Sequence, residues 1–162
     1  MVFPALRRMG VPVQLFVCTR FAREGRALEI PELAGDDPRE LVTMDWNELR
    51  RHVGEGVQIG SHGVSHAHLL RLSDAELRRE LAESKQEIED ELGRPCPDFA
   101  YPYGEHDERI RRLVHGCGYE RAFALWDGRI RSPFAKPRLD LYRRHSPAKA
   151  VLLTSPLRRF LN

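Results

Sequence analysis

Cysteine is scarce in this chain, charge of either sign is not in excess, and no long apolar run occurs. Cys18, Cys96 and Cys117 are odd in number and show no Cys-x-x-Cys spacing, which argues against a disulfide framework and a thiolate metal site. All three are expected to be reduced and mostly buried. No segment approaches the roughly 20 apolar residues that cross a bilayer, so no membrane span is expected. With 26 Lys and Arg against 24 Asp and Glu the net charge is only +2. The arginine pairs, such as Arg7-Arg8, Arg78-Arg79 and Arg111-Arg112, are scattered along predicted helices. Solvated helix faces account for them, and no nucleic-acid partner is expected. The chain as written does not open on a charged segment followed by an apolar one and a small-residue cleavage site, so a cytoplasmic location is expected for it. Adjacent aspartates occur once, at Asp36-Asp37.

What is present is a globular balance, 41% hydrophobic and 31% charged residues over 162 positions. That length fits a single domain, 1–162, with a core of its own. Helix, glycine and strand recur along it. Val2–Met9 reads as a helix closed by Gly10, and Val13–Val17 as a buried strand. Thr19–Arg39, rich in charge, glycine and proline, reads as a surface loop. Met44–Val53 is an amphipathic helix with Trp46 on its apolar, core-facing side, and Val57–Ile59 is a strand. Ser73-Asp-Ala-Glu76 is a capping box that opens the longest helix. Its stripe of Leu77, Leu81, Ser84, Ile88 and Leu92 ends at Gly93 and Pro95. Phe99–Tyr101 and Arg121–Leu125 read as strands around a helix at Glu108–His115. Arg138–Tyr142 reads as a last strand, and the tail from Pro147 as a terminal helix. This alternation argues for an α/β fold with a largely parallel sheet, open or closed as a barrel.

The strand at Val57–Ile59 leads into Gly60-Ser-His62-Gly-Val-Ser-His66. If the chain after His62 makes one helical turn, the two imidazoles share a face about 5–6 Å apart at Cβ, close enough for one metal ion. Catalytic zinc takes three protein ligands, so a third must come from elsewhere. A bare His-x-x-x-His equally describes two solvated loop histidines. His68, two residues on, is expected to point to solvent.

Together, Ile59–His66, the capped helix, Phe99-Ala-Tyr-Pro-Tyr-Gly104, Gly118–Phe123 and Lys136-Pro-Arg138-Leu resemble, in order and spacing, a polysaccharide deacetylase domain, carbohydrate esterase family four. The resemblance implies an irregular (β/α) barrel and a divalent metal, usually zinc, held by two histidines and an aspartate. His62 and His66 correspond to the histidine ligands. Tyr101-Pro102-Tyr103-Gly104 corresponds to the wall of the substrate groove, and the Tyr103 backbone amide to an oxyanion donor. Arg138 resembles the arginine of a Leu-Pro-Arg block that orients the catalytic base. Tyr101 and Tyr103 are open to two readings, as groove lining or as packing of the barrel end.

The chain departs from the family pattern in three places, the first being Ala100-Tyr101 where an arginine often precedes the Pro-Tyr-Gly turn. The Thr-Phe-Asp-Asp block, which supplies the base and the third metal ligand, belongs on a strand expected before Val2, so the barrel is expected to be N-terminally truncated. Asp36-Asp37 falls in a later loop. The Leu-x-His block that carries a general acid has only His145 as a weak counterpart, and Trp126 is a candidate for stacking on a sugar. The function implied is removal of N-acetyl groups from amino-sugar poly- or oligosaccharides, with weak or no turnover by this chain. The alternatives are a saccharide-binding pseudoenzyme and a hydrolase of another small amide.

Overall fold

Five parallel strands stand side by side in chain order in the computed structural model, which describes residues 3–25, 27, 41–125, 132–138, 146 and 148. They are β1 (Gln14–Val17), β2 (Gln58–Ser61), β3 (Asp98–Ala100), β4 (Arg121–Leu125) and β5 (Lys136–Arg138). Each neighbour is the next strand in sequence, so every connection crosses over in the same sense, as in the build-up of a barrel wall. The sheet also curls. Phe16 on β1 lies 5.4 Å from Phe123 on β4, and the Arg138 guanidinium on β5 lies 6.0 Å from the Phe16 ring, so the two ends of the arc face each other. Gly60 makes room for this crossing, because a Cβ there would lie 2.6 Å from the Phe16 ring.

The helices are α1 (Phe3–Arg8), α2 (Thr19–Glu24), α3 (Trp46–Gly54), α4 (Asp74–Leu92) and α5 (Glu108–Gly116). In α4 the Ser73 hydroxyl accepts the Glu76 N–H while a Glu76 carboxylate oxygen accepts the Ser73 N–H, and Gly93 ends the helix with φ +63°. Its face of Leu77, Leu81, Ser84 and Ile88 is buried against the sheet and α5. At about 1.5–3 kcal/mol for each large apolar side chain taken out of water, that stripe outweighs the cap in holding the helix to the sheet. Trp46 joins the same core at 8% exposure.

Several expectations need correction. The start of the supposed loop is helix α2, which buries Phe21 and Ala22 and ends at Gly25. β1 is half-buried along its whole length, being paired among the described residues with β2 alone. The last strand begins earlier than expected, at Lys136, and is described as far as Arg138. The remainder of that predicted strand, together with Asp36, Asp37, Trp126, His145 and all of the predicted terminal helix but Ala148, lies outside the described residues. Cys18 and Cys96 are buried and Cys117 half-buried, all three as free thiols. Among the described residues no helix is long and apolar enough to cross a membrane.

Candidate active site

The parallel strands end at one rim, and the predicted site residues follow directly from those ends. His62 comes one residue after β2, and its N–H continues the ladder to the Val17 carbonyl at 2.8 Å. Tyr101 comes one residue after β3, and Arg138 is the last residue of β5. Crossed parallel strands place their functional groups at this carboxyl rim.

His62 and His66 do meet, with ring centroids 4.8 Å apart and planes at 77°. A helical turn is not what joins them. Residues 62–68 form an irregular loop in which Gly63 has φ +83° and His66 φ +60°, two left-handed residues that double the chain back. A side chain in that region is disfavoured by about 1–2 kcal/mol, so the surrounding contacts must hold His66 there.

The His62 Nδ1 lies 2.6 Å from the Ala100 carbonyl oxygen, which can only accept, so Nδ1 carries the proton and Nε2 is left as the basic nitrogen. The ring keeps some exposed surface yet is densely surrounded. Burial pushes its pKa down to about 4, opposed by the Ala100 hydrogen bond and reinforced by His66 and Arg138. It is therefore neutral near pH 7, the state in which an imidazole can ligate a metal.

Tyr103 stands beside this pair, its ring 4.7 Å from that of His66. It occupies the left-handed third position (φ +57°) of a turn closed by the Gly104 N–H to the Tyr101 carbonyl. His68 is not directed to solvent. Its ring stacks on Tyr103 at 3.8 Å and 5°, and its Nδ1 lies 3.2 Å from a Glu105 carboxylate oxygen. The two readings of the tyrosines separate here. Tyr101 and Pro102 are buried, Tyr101 with its hydroxyl donating to the Phe134 carbonyl at 2.8 Å, so their side chains pack into the core at the end of the sheet. Tyr103 and Gly104 are half-buried at the rim. Arg138 donates from Nη2 to the Tyr101 carbonyl at 3.2 Å.

Two further residues shape the site with no motif to announce them. The Cys18 thiol donates to the His62 carbonyl at 3.3 Å, and burial pushes its pKa up to about 12, so it stays protonated beneath the loop. Glu80 on α4 accepts from the Val64 and Ser65 N–H groups at 2.8 and 3.1 Å and from the Ser65 hydroxyl at 2.6 Å. A charged residue three positions from Leu77 and four from Ser84, on the flank of a buried stripe, was the only available sign of it. Among the described residues no third His, Cys, Asp or Glu joins the two imidazoles as a metal-holding group.

The polysaccharide deacetylase family matches residues 1–122. Solved structures of similar fold include a deacetylase, PplD, from Streptococcus pyogenes in complex with acetate, with a TM-score of 0.74 at 15% identity over 96% of this chain and 64% of that one. A de-N-acetylase from Aggregatibacter actinomycetemcomitans gives 0.71 at 15% identity over 94% and 69%. A mutant of BA3943, described as a CE4 family pseudoenzyme, gives 0.59 at 16% identity over 75% and 37%. The chain thus spans less than two thirds of the length of the first of these.

Proposed function

We propose that this chain, which belongs to the polysaccharide deacetylase family, serves the hydrolytic removal of N-acetyl groups from amino-sugar poly- or oligosaccharides. One observation carries the reading. Two imidazoles meet at the carboxyl rim of a parallel sheet, and the Nδ1–H of one is tied to a backbone carbonyl, which leaves Nε2 as its basic nitrogen. Metal-ligating histidines characteristically give their other ring N–H to a carbonyl or carboxylate in this way.

His62 and His66 would hold a divalent metal, zinc by its preference for imidazole, and when bound it supplies Lewis acidity at an amide carbonyl. The rest falls to the chain itself. Ala100 fixes the His62 tautomer, and burial keeps that ring neutral. The backbone N–H of Tyr103 is the proposed donor to the oxyanion that forms when the acetyl carbonyl is attacked, where one such donor is typically worth about 10²–10³ in rate. The Tyr103 ring and Gly104 form the proposed saccharide contact. Arg138, bonded to the Tyr101 carbonyl, holds the start of the turn that presents them.

The donor count supports a second reading. Two imidazoles are fewer than the three protein ligands of catalytic zinc, and no third joins them among the described residues. A pseudoenzyme that keeps a saccharide groove without turnover fits this set.

The test measures acetate release from N-acetylglucosamine oligomers with zinc present, alongside oligomer binding. Slow, zinc-dependent release that disappears in His66→Ala supports the hydrolase. Oligomer binding with no release supports the pseudoenzyme. Release from simple N-acetyl amides but not from oligomers moves the substrate to another small amide, and zinc-independent release unaffected by His66→Ala refutes the site.

A further inference from the structure

We infer that Glu80 is a positioning residue for the His62–His66 pair, acting as one jaw of a clamp on the loop that joins them. The inference rests on the metal reading proposed above and adds to it a residue that touches neither metal nor substrate.

The peptide groups between the two histidines are gripped from opposite sides. On one side the Gly63 and Val64 carbonyls accept the backbone N–H groups of Thr19 and Arg20 at 3.2 and 3.1 Å, at the start of α2. On the other side the N–H groups of Val64 and Ser65 both donate to a single Glu80 oxygen, and the Ser65 hydroxyl donates to the other. Below them the Gly63 N–H donates to the Ser61 hydroxyl, which is bonded to Ser84 on the same helix as Glu80. The grip leaves little space, because a Cβ on Gly63 would lie 3.0 Å from a Glu80 carboxylate oxygen.

The strained residue comes next in the chain. His66, at φ +60°, follows Ser65 directly, so the position of its imidazole depends on the peptide planes that Glu80 holds. Hydrogen bonds to a carboxylate are the stronger kind, and Glu80 makes three with this loop. Together they oppose the tendency of His66 to leave the left-handed region. Without the carboxylate, the Val64 and Ser65 amides lose their acceptor and the loop is free to relax toward right-handed backbone, which swings the His66 ring away from His62. Groups that orient metal ligands typically change affinity by about 10–100-fold when removed.

The experiment uses the full chain and zinc alone as the probe, with Glu80→Ala, Glu80→Gln and Ser65→Ala. Three quantities are read: the zinc dissociation constant by calorimetry well below the melting temperature, the melting temperature, and amide hydrogen exchange at Val64 and Ser65 without metal. Glu80→Ala is expected to weaken zinc binding by about tenfold or more and to accelerate exchange at both amides. Glu80→Gln, which keeps an acceptor oxygen at the same reach, is expected to restore binding to within about threefold of the parent. If Glu80→Ala does not fold, Ser65→Ala decides, with a smaller loss of zinc affinity expected from the one bond it removes. A lower melting temperature with unchanged zinc affinity would make Glu80 a helix-stabilising residue only and overturn the inference. Unchanged exchange at Val64 and Ser65 would overturn it as well. If the parent chain binds no zinc, the metal reading fails by itself, and the exchange rates still decide whether the clamp exists.

Discussion

Gly104 offers a direct test of how tightly the rim is built. Its φ of +72° lies in the left-handed region, and a Cβ there would lie 2.3 Å from Leu125 Cγ, 2.6 Å from Leu125 Cβ and 2.8 Å from the Leu125 backbone nitrogen. Gly104→Ala therefore carries two penalties. The conformational one is about 1–2 kcal/mol. The steric one is about 1–3 kcal/mol, because Leu125 can rotate its side chain but cannot move its own nitrogen without disturbing β4. The sum is roughly 2–5 kcal/mol. Gly93 supplies the control, since its φ of +63° is similar and nothing lies within 4 Å of the added methyl; Gly93→Ala should lose only the conformational part, about 1–2 kcal/mol. The assay is urea unfolding of both variants and the parent, fitted with a common slope. At a slope of about 2 kcal/mol/M, the Gly104→Ala midpoint should fall about 1–2.5 M and the Gly93→Ala midpoint at most about 1 M. Coincident midpoints would refute the close approach of Gly104 to β4.

Other expectations are simpler. His66→Ala should abolish zinc binding, measured by calorimetry on the metal-free chain, because one imidazole remains; retained affinity would place the site elsewhere. Asp45→Ala should lower stability by about 1 kcal/mol, since Asp45 accepts the Glu48 N–H at 2.8 Å in a capping box that opens α3; an unchanged urea midpoint would rule the cap out. Arg121→Ala should cost about 3 kcal/mol near neutral pH. It strips two hydrogen bonds from the Asp98 carboxylate, whose side chain is 3% exposed, and leaves the one from Gln14. A loss below about 1 kcal/mol would make this pair no stronger than a surface ion pair.

What the sequence discloses follows from how local the cause is. The cap at Ser73, the stripe from Leu77 to Ile88 and the glycines that end helices act within a few residues, so they are readable in the string and recur in the structure. The approach of His62 and His66 was also expected, although by a helical turn. The actual means, left-handed residues at Gly63 and His66, depends on α2 and Glu80, which lie far along the chain in opposite directions. Helix α2 escaped for the same reason. Six residues are too few to show a helical period, and it is held by burial of Phe21 and Ala22 and by the loop carbonyls it meets. His68 looked like a solvated residue because nothing nearby in sequence announces Tyr103 as the ring it stacks on.

The strand order bears on how the site comes into being. His62, one residue past β2, and the Ala100 carbonyl that sets its tautomer, at the end of the adjacent β3, lie 38 positions apart, and α4 falls within that span. A parallel pair cannot form by a hairpin, so the strands register only after the connecting helix has folded back across the sheet. Closing a loop of that length is paid for in chain entropy before any long-range contact repays it, which makes such pairings slow. In a collapsed intermediate with α4 still undocked, both histidines would be present but neither the tautomer lock nor the Glu80 grip would be. Assembly of the paired-imidazole geometry is thus tied to docking of α4 and cannot run ahead of it.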